Sequence, residues 1–154
     1  MPARVPAPDA TASPKLTYGF GTTLAVGYEE AVGLARTALV REGFGIVSEI
    51  DLARTLREKL GVEMPPYLLL GVCNPSLARQ ALEADPDIGL LLPCTVAVRG
   101  AAVPGHAHML ALDPIAALGL TGRADLAPLA EEVRERLERA IARTAEDALA
   151  PGGS

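Results

Sequence analysis

The chain has 154 residues, 49% of them apolar, enough for one domain with a packed interior. Aromatic residues make up 3% and Trp is absent, so the core must come from Leu, Val, Ile and Ala, and stacking platforms for bases or sugars are scarce. The net charge of -5 opposes a broad phosphate-binding face, so no nucleic-acid partner is expected.

Residues 1–14 carry prolines and small residues without periodicity and read as a flexible arm. They lack the apolar stretch of a signal peptide, and no run in the chain is long enough to span a membrane, so cytoplasm is the expected location and no membrane partner is expected. Residues 15–150 read as a single domain and 151–154 as a frayed tail.

A first strand is predicted over residues 16–25, with Gly19 and Gly21 as positions of close approach. Ala31, Leu34, Ala35, Ala38 and Leu39 recur at spacings of three and four and predict a helix over 27–41, ended by Gly43. A strand follows over 44–50, and then Asp51 caps a short helix that runs to Leu60 and stops at Gly61. Residues 66–72 form a third strand. Its run Tyr67 to Leu70 is apolar on both faces, which predicts a central strand covered on both sides.

Asn74 as cap and Pro75 at the first helical position start a helix that ends near Ala84. A fourth strand is predicted over 88–99, with Pro93 marking an edge or a bulge. Residues 100–105 form a hairpin connection to a fifth strand over 106–112. Asp113 and Pro114 repeat the cap signal, and residues 125–149 form a long amphipathic helix. Strand, helix, four strands with short helical insertions and a last helix make an α+β domain. Its mainly antiparallel sheet of about five strands carries the long helices on one face.

The segments Tyr-Leu-Leu-Leu-Gly-Val-Cys-Asn-Pro (67–75) and Asp-Ile-Gly-Leu-Leu-Leu-Pro-Cys-Thr-Val (87–96) resemble the domain of unknown function 302 family. The block 43–51, the helix at 56–60 and Asp113-Pro114 extend the resemblance over residues 16–120. It implies a TATA-binding-protein-like architecture and brings no reaction, cofactor or substrate. The two histidines lie outside its pattern.

Few residues offer chemistry. Cys73 precedes a helix N-terminus, where the dipole favours a thiolate, or else it packs as a small apolar residue. Cys94 follows Pro93 and invites the same two readings. Antiparallel third and fourth strands would leave the two thiols several residues apart, whereas a parallel crossover would bring them closer. Two cysteines are too few for a disulfide scaffold, and reduced thiols are expected. His106 and His108 share a strand face and fit one transition metal if a third ligand such as Cys94 faces them; otherwise they are strand-end residues, and no other cofactor is expected. Glu49 is a candidate acid, base or ligand, or a solvated carboxylate. The caps Asp51, Asn74 and Asp113 would cluster at one sheet end under some topologies. Glu132 with Arg136 and Glu135 with Arg139 read as a salt-bridged solvated helix face.

No nucleotide, hydrolase or metalloprotease motif is present. The reading that follows is a non-catalytic small-ligand-binding or accessory module, forming a homodimer through sheet edges or helix faces. Its candidate site residues are Cys94, Cys73, Glu49 and Asn74. The alternatives are a thiol- or metal-dependent enzyme using Cys94 or Cys73, and nucleic-acid binding by analogy of fold.

Overall fold

The computed structural model describes residues 15–150, so the arm at 1–14 and the tail at 151–154 lie outside the described residues. Five strands, β1 (Gly19–Leu24), β2 (Gly45–Asp51), β3 (Tyr67–Cys73), β4 (Cys94–Gly100) and β5 (Ala107–Leu112), form one antiparallel sheet in the order β1-β5-β4-β3-β2. The helices are α1 (Tyr28–Arg41), α2 (Leu52–Leu60), α3 (Pro75–Ala84), α4 (Pro114–Gly119) and α5 (Ala127–Leu149). A 3-10 turn occupies Pro86–Leu91, and a second, Ala124–Leu126, leads into α5. The α+β class and the antiparallel sheet are as the sequence indicates.

The topology follows from the two outer strands. β1 and β2 are consecutive in sequence but lie at opposite edges, so α1 must cross the sheet between them. It buries Ala31, Ala35, Ala38 and Leu39, one stripe at helical spacing. α5 packs beside it and buries Ala130, Val133, Leu137, Ala140 and Ile141. Small residues on both helices allow close approach to the sheet. Beneath them lie Leu68, Leu70, Val72, Val96, Val98 and Met109, and each fully buried side chain of this kind contributes about 1.5–3 kcal/mol.

Gly19 is required where β1 meets β5, because a Cβ there would sit 2.6 Å from the Ala111 carbonyl oxygen. Gly43 ends α1 with φ 87, a conformation open to glycine and strained for other residues.

Two expectations about the sheet are corrected. The fourth strand does not start at Ile88. Asp85 caps the 3-10 turn by accepting from the Asp87 amide at 3.0 Å, so the strand starts at Cys94, after the cis Leu92–Pro93 peptide. Pro93 therefore removes no ladder hydrogen bond, and β4 is the middle strand of the sheet, not an edge. The third strand is not covered on both sides either. Leu68, Leu70 and Val72 meet the core, whereas Tyr67 and Leu69 point to the face that α1 and α5 leave open, where both are half-buried.

Candidate functional site

Antiparallel pairing brings Cys73 and Cys94 together, contrary to the separation expected from a strand starting at Ile88. Val72 pairs with Cys94, so both thiols sit at the same end of the middle strands. Both are free and half-buried, and both line a cavity of about 40 Å³ beneath α3, α4 and α5. Asn74 lines it too. The remaining walls are apolar, with Phe44, Leu77, Ala117 and Val133 prominent among them. A single water needs about 10–15 Å³, so this space holds two or three waters and no metabolite.

The polar groups of this cavity are already engaged. Asn74 Oδ1 accepts from the Leu77 amide at 3.1 Å as the cap of α3, and its Nδ2 donates to the Gly43 carbonyl at 3.2 Å, tying α3 to the end of α1. Burial, with the neighbouring Cys73 thiol adding to it, pushes the Cys94 thiol up to about 11. A thiol in that state is protonated at neutral pH, and no histidine or carboxylate lines the cavity among the described residues. The arrangement buries two thiols without activating Cys94.

The other predicted site residues lie elsewhere. Glu49 of β2 forms an ion pair with Arg36 of α1, and this bond holds its carboxyl below the usual range. The caps divide: Asn74 and Asp113 share one sheet end, while Asp51, which caps α2 at 2.9 Å, lies at the other. Asp113 accepts from the Ile115 amide at 2.9 Å and from Arg134 at 2.6 Å, and the Arg134 guanidinium lies 5.1 Å above the Phe20 ring centre. On α5, Arg136 reaches Glu132 at 3.4 Å, but Arg139 turns to Glu42 of α1 rather than to Glu135.

His106 and His108 do not share a ligand position. His106 lies before β5, and its Nδ1 donates to the Pro104 carbonyl at 3.2 Å. His108 Nδ1 bonds the Thr23 hydroxyl at 2.9 Å. His108 pairs with Arg99, five residues along β4 from Cys94, so that cysteine is about 16 Å away along the strand and cannot complete a metal site with the histidines. Among the described residues, no group of three His, Cys, Asp or Glu side chains is arranged to hold a metal ion.

The larger concavity lies on the open face of the sheet, which sequence reasoning missed. The register stacks its residues in rows across the strands. Thr23, His108, Arg99 and Tyr67 form a polar row. Gly21, Leu110, Ala97, Leu69 and Ile50 form the next, an apolar one. Residues from both rows, together with Leu16, Tyr18, Thr95 and Leu112, line a groove of about 460 Å³. Tyr18 at its rim is 62% exposed. The signal for this groove was present: Tyr67, Leu69, Leu110 and Leu112 are apolar at alternate positions that the two long helices cannot also cover.

The family model described as "Domain of unknown function DUF302" matches residues 20–144. Among solved structures, the crystal structure of an uncharacterized conserved DUF302 protein from Bacillus stearothermophilus is similar. It is 25% identical, with a TM-score of 0.76, covering 84% of this chain and 99% of that one. No curated protein matches.

Proposed function

Since the chain belongs to the DUF302 family, whose description carries no activity, we propose from its own geometry that it is a non-catalytic module that binds a small ligand in the open-face groove. The observation behind this reading is the size and composition of that groove. It measures about 460 Å³, has an apolar floor and a polar row along one side, and falls within the range of roughly 300–1,000 Å³ usual for small-molecule sites. The thiol-lined cavity is an order of magnitude smaller, and its polar atoms serve the fold.

Amide chemical-shift mapping with a library of small apolar and amphipathic compounds tests this. Binding is expected to move Leu69, Ala97 and Leu110, and an Ala97→Trp variant, which fills the groove, is expected to abolish the shifts. Shifts confined to Cys94 and its neighbours would reject the groove.

A second reading, pairing of two copies, draws support from β2. This edge strand exposes Val47 at 63% and Ile50 at 50%. Sedimentation of wild type against Val47→Lys tests it: a dimer that dissociates in the variant supports pairing through this edge, and a monomer at all concentrations rejects it.

A further inference from the structure

Resting on the groove reading, we infer that the ligand is an amphipathic monoanion, a medium-chain carboxylate whose acid group lies against Arg99 and whose apolar body lies over Leu69, Ala97 and Leu110. Three observations carry this.

The first is charge. Among the described residues, Arg99 is the sole charged one lining the groove, and it makes no ion pair with any of them. Arg36 and Arg134, by contrast, each pair with a carboxylate of the chain. A half-buried guanidinium without a partner favours an anion from outside.

The second is His108, which neighbours Arg99 in the same row. It is 1% exposed, and its Nε2 is buried with no hydrogen-bond partner. Burial, then Arg99 and His106, hold its pKa below the ordinary value, so the ring is neutral at pH 7. The row thus carries a single positive charge, which one carboxylate matches.

The third is layout. Successive rows on one sheet face lie about 7 Å apart, so the polar row, the Leu69 row and the next row, which contributes Thr95 and Leu112 to the groove, together extend about 13 Å. A charge at one end of an apolar strip of that length fits a carboxylate with an extended alkyl chain better than a compact polar metabolite.

Calorimetric and chemical-shift titrations with octanoate and with octan-1-ol test the inference, using wild type, Arg99→Gln and Arg99→Lys. Octanoate is expected to bind at least tenfold more tightly than the alcohol. Arg99→Gln is expected to reduce octanoate to the level of the alcohol with the melting temperature unchanged, and Arg99→Lys to retain part of the difference. Equal binding of acid and alcohol, unaffected by Arg99→Gln, would overturn the anion while leaving the groove reading in place. Failure of both probes to move Leu69, Ala97 or Leu110 would overturn both.

Discussion

The thiol-lined cavity and the open-face groove share strands β3, β4 and β5, yet they divide the chemistry unevenly. The cavity received the residue types that suggest reactivity, two cysteines and an asparagine, and all three line its wall. It lies where α3, α4 and α5 close over the end of the sheet, so Asn74 is consumed in capping and Cys94 is kept protonated by burial. The groove received mostly leucines, with two tyrosines, two alanines and one arginine. The difference teaches that accessibility, not residue type, separates the two. Both long helices are spent on one face, and the apolar pattern on the other is left without a covering helix among the described residues.

Paired truncations should separate the regions most strongly. Leu77, buried in the cavity wall, loses its packing in Leu77→Ala, and about 2–4 kcal/mol of stability is expected to go with it. Leu110→Ala, on the half-buried groove floor, is expected to cost about 1 kcal/mol or less. Denaturant unfolding measures both. Equal losses would mean that the groove is covered in solution, and a concentration-dependent melting temperature would then identify a second copy as the cover.

Cys94 gives a pH signature that the groove lacks. In the native state burial pushes its thiol up to about 11, from an ordinary value of 9.0. Between these values the native chain keeps a proton that the unfolded chain has lost, so stability falls as pH rises through this window, by at most about 3 kcal/mol. Below it the contribution is fully present. The difference between wild type and Cys94→Ala isolates the effect from other alkaline titrations. A flat difference, or alkylation of Cys94 with a midpoint near 8, would return the thiol to contention as a nucleophile.

Asn74 offers a smaller test of the same claim. Asn74→Ala removes the α3 cap and the bond to the Gly43 carbonyl, with an expected loss of about 1–2 kcal/mol. Asn74→Asp keeps the cap but not the amide donor, so it should fall between the two. If Asn74→Ala leaves stability intact, the asparagine is free for another purpose and the cavity deserves reconsideration as a site.

The architecture was largely legible because it rests on local signals. Asp51, Asn74 and Asp113 cap helices at the expected places, and α3 spans the predicted residues. The start of β4 was not legible, since Ile88 to Leu92 is an apolar run that suits a strand as well as a buried turn, and only the cap at Asp85 decides for the turn. That displacement of six residues also hid the approach of Cys73 to Cys94. The groove was half-legible. The two-faced apolar pattern of β3 was visible, but whether anything covers its second face depends on where α5 goes, which no local signal states.

Glu49 and Arg36 provide the mildest test and the sharpest control on the groove. Their ion pair is exposed on the helix side, so Glu49→Gln is expected to cost under about 1 kcal/mol. The variant leaves Arg36 without its carboxylate and outside the groove, whereas Arg99 has both an open charge and the groove's apolar floor. Octanoate should therefore bind the Glu49→Gln variant as it binds wild type, with shifts still confined to the groove. New shifts around Arg36 would show that an unpaired arginine alone captures the acid, and the row of Leu69, Ala97 and Leu110 would then lose its claim to specificity.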